Sequence, residues 1–283
     1  MNRKGRAKIA QETLNIIELG GYHNQLGNYV SLKEDIENAI ESSLHMAEPV
    51  LKEHLRTAQE KVESIVESSI QYEVKNCTTF EGVKHLLKNS KEVVCLNFAS
   101  SKNPGGGFLG GSQAQEEALA RASAMYPCLT KHMDMYLNNR EAKRLLYSHD
   151  MIYSKRVPVF RNDNDELINE PFSTSIITSA AVNSGAVLRK KPDSEELINR
   201  EMKVRARYIL SLAISQGYES IVLGAWGCGV FKNEPTAVAN IFFEILEDEG
   251  FGKAFRNILF AVLDNSKDLI TYASFNDRFE NKL

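Results

Sequence analysis

The stretch Val93-Val94-Cys95-Leu96-Asn97-Phe98, then Asn103-Pro104-Gly105-Gly106-Gly107-Phe108-Leu109-Gly110-Gly111-Ser112, then Gln115-Glu116-Glu117-Ala118-Leu119, decides the fold. The short apolar run without alternation reads as a strand buried on both faces. A glycine-rich turn leads from it into a helix that opens on two carboxylates. Strand, turn and helix in that order are the unit of an α/β protein, where ligands gather at the carboxyl ends of strands. Five glycines at positions 105, 106, 107, 110 and 111 leave the backbone without Cβ atoms. Such a loop takes positive φ readily and turns successive N–H groups toward one anion. A flexible surface hairpin is the plain alternative, and the position directly after a buried strand favours a phosphate loop.

Outward from that stretch the alternation continues. Ile70–Val74 reads as a strand, and Thr78-Thr79-Phe80-Glu81 is a capping box ahead of a helix. Residues 175–182 read as a strand, 195–215 as a long helix, 220–223 as a strand, 235–246 as a helix and 257–263 as a last strand. Residues 161–170 read as a polar loop and not a domain boundary. The first 75 residues read as helices: 7–19, stopped by Gly20-Gly21; one opened by the capping box Ser31-Leu32-Lys33-Glu34; and one opened by Pro49. The expectation is one α/β domain over 1–283, a central mixed sheet flanked by helices over 76–283 with a helical extension over 1–75 packed on it.

Composition bounds the function. The chain has 283 residues, 43% hydrophobic and 25% charged, with a net charge of −3. That is an ordinary soluble globular composition, not a disordered or collagen-like one. The charge argues against broad, sequence-independent nucleic-acid binding, which needs a basic face. Four scattered cysteines, Cys77, Cys95, Cys128 and Cys228, read as free thiols in a cytoplasmic protein. The six histidines form no zinc-spaced cluster, so no metal site is expected. No apolar h-region follows the basic start, and no stretch approaches a membrane span.

Gly105-x-Gly107-x-x-Gly110 matches a dinucleotide fingerprint in letters only. The loop runs on through Gly111 and Ser112, and no acid ends a strand about 20 residues on. A nicotinamide oxidoreductase rests on that string alone. Glu116 and Glu117 could simply favour the helix dipole. Two anions beside a phosphate loop would repel its ligand, however, so their presence there suggests use. Neighbouring helical residues point roughly 100° apart, so one should act on a bond and the other hold sugar hydroxyls or a neighbouring loop. A second glycine-rich turn, Gly224-Ala225-Trp226-Gly227-Cys228-Gly229-Val230-Phe231, also follows a strand and precedes a helix. Its alternative is a tight turn with Trp226 and Phe231 in the core. Cys228 as a nucleophile has no histidine in the motif to activate it.

These residues resemble the poly(ADP-ribose) glycohydrolase signature. Asn97-Phe98-Ala99-Ser100, the triple-glycine loop with Gln115-Glu116-Glu117, and Trp226–Phe231 carry the resemblance. So do 151–154, 157–161, 177–183, and Arg6 with Glu12-Thr13-Leu14, which are similar to the compact microbial branch. The resemblance implies a macro-domain-like scaffold and a hydrolase of ribose–ribose O-glycosidic bonds that releases ADP-ribose. It implies Glu117 as acid/base, its carboxyl raised by a partly dry cleft, and Glu116 as the residue that binds ribose hydroxyls. Asn103, Gly105, Gly106, Gly107, Gln115, Gly227, Cys228, Gly229, Val230 and Phe231 would line the ligand, with the glycine segments on the diphosphate and Phe231 on a ribose. Neither a metal nor another cofactor is implied. The partners implied are poly(ADP-ribose) or an ADP-ribosylated substrate, with no membrane and no sequence-specific nucleic acid, for a chain expected to be a monomer. Asn97 stands where larger relatives carry an acid, and Ala225 where they carry Asn. The alternatives are an ADP-ribose reader that binds without cleaving, and a hydrolase of another ADP-ribosyl linkage.

Overall fold

The computed structural model describes residues 1–141 and 146–280. The protein is mixed α/β, a mixed sheet flanked by helices, as the sequence leads one to expect. Its described residues gather into two compact units, each assembled from separate stretches of chain. One comprises 1–45, 97–141 and 151–179; the other comprises 46–96, 146–150 and 180–280. No described helix is long and apolar enough to cross a membrane.

The second unit is built on parallel strands. Ser220–Leu223 lies between Val94–Phe98 and Asn257–Ala261, and Gln71–Lys75 adds beyond the latter, all pairs being parallel. Ser220–Leu223 is buried along its whole length, as continuous apolar runs in parallel sheets are. Helices Glu48–Ser64, Thr79–Leu86, Glu195–Ser215, Pro235–Phe243 and Ile270–Phe279 belong to this unit. Helix Thr79–Leu86 starts as expected. Thr78 accepts a hydrogen bond from Glu81 N–H at 3.2 Å, and Glu81 accepts one from Thr78 N–H at 2.9 Å. Pro49 lies in the first turn of Glu48–Ser64. An aromatic cluster fills the core, with Phe260 stacked on Phe279 at 4.2 Å and Phe242 between Trp226 and Phe260.

The first unit is built on antiparallel pairs and short helices. Met151–Arg161 and Leu167–Ser179 form a long hairpin, irregular at Ser154/Val157 and Val159/Arg161. The polar loop expected over 161–170 shrinks to the tip of this hairpin. Asn162 Oδ1 accepts from Asn164 and Glu166 N–H at 3.0 Å each and closes the turn, so Leu167 already pairs with Arg161. The helix Arg3–Leu19 is capped by Asn2 and stopped at Gly20 with φ 71°. The Ser31 capping box does not form. Ser31 is drawn into a strand that pairs with Gly21–His23, and Leu32 occupies the cap position of helix Lys33–Glu41 without a side-chain bond.

The two capping boxes should therefore behave differently. Thr78→Ala removes a real cap, worth about 1 kcal/mol, and should lower Tm by about 2–4 °C. Ser31→Ala should leave Tm where it is. Parallel thermal melts check both, and equal shifts would contradict the assignment.

Candidate active site

Helix Gln115–Ala122 has no side-chain cap of the usual kind, because Ala114 occupies the cap position. Its first three side chains reach back to the strand end and the glycine loop instead. Gln115 Oε1 accepts from Phe98 N–H at 2.9 Å. Glu116 Oε2 accepts from Ser100 N–H at 2.7 Å, and Oε1 accepts from Asn97 Nδ2 at 3.3 Å. Glu117 Oε1 accepts from Gly107 N–H at 2.9 Å. Three consecutive residues thus pin the helix start to backbone amides on either side of Asn103.

The two carboxyls converge more than their helical phase suggests. Gly106 has φ 59°, and a Cβ built on it would lie 2.5 Å from Glu117 Oε1 and 3.1 Å from Glu116 Oε2. Both acids therefore press on one glycine, and the expected divergence is absorbed by their flexible side chains. Only glycine leaves that space and tolerates that φ. The desolvation expected at the acid/base falls on Glu116, which is 3% exposed, while Glu117 is half-buried. Burial pushes the Glu116 carboxyl up to about 8. Its bonds from Ser100 and Asn97 pull the other way, and the charge of Glu117 adds to the rise.

The loop's N–H groups do not all turn outward, as the glycine count had suggested. Gly106 N–H donates to Asn103 O at 2.9 Å, Phe108 N–H to Gly105 O at 3.1 Å, and Gly107 N–H to Glu117. Within this loop the Gly107 amide is thus taken by the protein's own Glu117 side chain. Asn103 is exposed, and its Oδ1 accepts from Arg140 Nη2 at 2.9 Å.

Sequence reasoning missed the residues that brace this loop. Arg3 Nε donates to Gly110 O at 2.8 Å, and Arg6 Nε donates to Gly111 O at 2.9 Å. Arg121, 2% exposed, donates to Ser112 O at 3.1 Å and to Gln113 Oε1 at 2.6 Å, and it pairs with Asp165 at 3.1 Å. Thr13 Oγ1 donates to Arg121 O at 2.6 Å and accepts from Arg161 Nε at 3.2 Å. Arg161 also donates to Asp165 O at 2.8 Å and lies 3.4 Å from Glu12. The one available signal was Arg6 with Glu12-Thr13-Leu14, which the resemblance marked without a reason.

The second turn stands in the other unit. Gly227 has φ 79°, and a Cβ there would fall 2.5 Å from both Ala181 Cβ and Asn233 Nδ2. Asn233 Nδ2 donates to Val182 O at 2.8 Å and to Gly227 O at 3.1 Å, which sets the turn's shape. Trp226 is fully buried, whereas Phe231 is half-buried and Val230 is 77% exposed. Among the described residues, the N–H groups of Gly227, Gly229, Val230 and Phe231 donate to no protein acceptor. In the first loop, by contrast, the N–H groups of Gly106, Gly107 and Phe108 are all engaged within the protein. Burial pushes the Cys228 thiol up to about 12, with Glu234 adding to the rise, so it is a poor nucleophile. Among the described residues no three His, Cys, Asp or Glu side chains gather as a metal site.

Glu116 makes stability depend on pH. The folded state holds its proton up to about pH 8, whereas an unfolded glutamate loses it near 4.5. Its contribution is full below 4.5 and is lost as pH rises toward 8, at about 1.4 kcal/mol per unit at most. Glu116→Gln should therefore gain on the wild type from pH 5 to pH 8 in urea titrations. Parallel pH profiles would contradict a buried, neutral Glu116.

The chain resembles known proteins of one family in sequence and in fold. Residues 10–162 match a family model described as the microbial-type PARG catalytic domain, PARG being poly(ADP-ribose) glycohydrolase. The structure is similar to PARG from Thermomonospora curvata, at 36% identity over 98% of this chain and 100% of that one, with a TM-score of 0.93. It is similar to that enzyme bound to the inhibitor ADP-HPD, at 36% identity over 98% and 100%, with a TM-score of 0.89. It is also similar to PARG from Deinococcus radiodurans in complex with ADP-ribose, at 36% identity over 90% and 100%, with a TM-score of 0.82. No curated protein matches the sequence significantly. A family match over more than half the chain, joined to this likeness over nearly all of it, means that the chain belongs to the microbial-type poly(ADP-ribose) glycohydrolases, hydrolases of poly(ADP-ribose).

Proposed function

We propose that Glu117 is the general acid/base that cleaves the ribose–ribose O-glycosidic bond of poly(ADP-ribose) and releases ADP-ribose. The observation that carries this is the division of labour between the two acids. Glu117 is half-buried and oriented by Gly107 N–H, while Glu116 is 3% exposed and tied to Ser100 and Asn97. In its protonated form Glu117 gives its proton to the leaving ribose oxygen as the C–O bond breaks through an oxocarbenium-like transition state. As a carboxylate it then takes a proton from the water that adds to the anomeric carbon. Glu116 presents a fixed carboxyl for ribose hydroxyls and stops Glu117 from swinging inward.

The remaining assignments follow the same logic. Gly105, Gly106 and Gly107 offer a surface without side chains, so a ligand can approach both carboxyls. Gly227, Gly229, Val230 and Phe231 serve the ligand with backbone amides for phosphate, Phe231 adds its ring for ribose, and Cys228, whose own N–H donates to Ala225 O at 3.1 Å, lines the turn between them. Gln115 acts through Phe98 to fix the helix, since its carboxamide oxygen is occupied there. Asn103, exposed and held by Arg140, would meet a ribose hydroxyl.

The test uses an auto-modified, poly(ADP-ribosyl)ated polymerase as substrate and chromatography of the soluble products. Wild type should release ADP-ribose. Glu117→Gln should bind ADP-ribose in calorimetry with turnover reduced about 10²–10⁴-fold, the span typical of a lost general acid/base. Robust hydrolysis by Glu117→Gln would remove Glu117 from this role. Binding without release by the wild type would favour the reader.

A further inference from the structure

Arg205 is buried completely and takes no part in the chemistry above. Each of its three guanidinium nitrogens nevertheless has an acceptor. Nη1 donates to Ala180 O at 2.7 Å, Nη2 to Leu146 O at 2.8 Å, and Nε to His149 Nδ1 at 3.3 Å. A guanidinium only donates, so His149 Nδ1 must carry a lone pair and its proton sits on Nε2. Nε2 lies 3.4 Å from Glu201 Oε2, and the imidazole edge packs on Tyr208 at 5.7 Å. A neutral His149 in one tautomer therefore links Arg205 to Glu201.

Between the two gripped residues sits Tyr147, with φ 60°. That is left-handed backbone for a bulky residue, which persists only where neighbours over-determine it. Here they do, because Arg205 holds Leu146 on one side and His149 on the other. The strained backbone presents the Tyr147 ring to Phe231, with centroids 6.3 Å apart and planes at 42°. The third arm of Arg205 holds Ala180, whose neighbour Ala181 lies directly under Gly227. One cation thus fixes both the floor of the turn and the ring beside Phe231.

We propose that Arg205 and His149 are positioning residues that hold Tyr147 against Phe231 and so shape the wall that meets the ribose of an ADP-ribosyl ligand. The proposal rests on Phe231 being a ligand contact, as argued above. It also predicts a pH dependence. A proton on Nδ1 would set an imidazolium against the guanidinium and break their bond. The groups facing His149 are Arg205, Glu201, Glu48, Asp150 and Tyr208. Burial and then Arg205 hold its titration below the ordinary imidazole range, with Glu48, Glu201 and Asp150 opposing them. The clamp should stay shut near neutrality and open in acid.

The experiment measures ADP-ribose affinity by calorimetry from pH 7.5 to 5, with kcat and KM on polymer at pH 7.5. Tyr147→Ala should weaken affinity by roughly three- to tenfold, the range expected for a lost aromatic pair, with the loss falling on KM and not on kcat. Tyr147→Phe, which keeps the ring, should restore most of it. Wild-type affinity should fall toward pH 5, and His149→Asn, which keeps an acceptor for Arg205 Nε but takes no proton, should flatten that fall. Unchanged affinity in Tyr147→Ala, or an equal acid limb in His149→Asn, would overturn the proposal. Wild-type protein that neither binds ADP-ribose nor cleaves polymer would overturn the functional reading instead, so the two failures are distinguishable.

Discussion

The burial of the Glu116 carboxyl is the constraint on which the first unit of this molecule depends. A carboxyl taken out of water must be neutral or fully hydrogen-bonded. Ser100 N–H and the Asn97 amide supply the bonds, and both lie at the carboxyl end of the strand Val94–Phe98. Once Glu116 is placed, helix Gln115–Ala122 can start in only one position. Glu117 then falls beside Gly106, and residue 106 cannot carry a side chain. The glycines are as much a response to the acids as a preparation for phosphate.

A loop with so little side chain needs outside bracing, and it comes from arginines. Arg3, Arg6 and Arg121 hold carbonyls at 110, 111 and 112, and Arg161 joins Thr13, Glu12 and Asp165 into one network behind them. Nearly buried arginines such as Arg121 and Arg161 are worth keeping only where their planar fork meets several acceptors at once. Arg205 repeats the device in the other unit, gripping two carbonyls and an imidazole. In both places a fixed cation organises irregular backbone that no helix or sheet could organise.

Much of this was legible in the residue order, and the rest was not, for physical reasons. The strands 94–98, 220–223 and 257–261 announce themselves because continuous apolar runs leave few other readings. The Thr78 box forms because nothing competes for Thr78, whereas Ser31 is claimed by a hairpin that pattern reading did not see. Leu167–Glu170 looked like loop because its polar residues border an Asx turn, yet they continue a strand. Which of two adjacent glutamates is buried depends on helix phase, and phase is set by Phe98 and Ser100, not by the glutamates. Arg3 and Arg121 were invisible because a lone arginine in a sequence looks the same whether it faces water or a carbonyl, and Arg6 stood out by resemblance alone, with nothing to say what it holds.

The buried indole of Trp226 has a practical consequence. It is the chain's single tryptophan, it sits immediately before Gly227, and it packs against Phe242 at 6.3 Å. All indole fluorescence of this protein therefore originates one residue from the proposed phosphate-facing amides. The molecule carries an intrinsic, single-site optical reporter at that turn, shielded from collisional quenchers in the native state and exposed to them when the surrounding core opens. No label has to be introduced to watch this corner of the fold separately from the carboxyl pair.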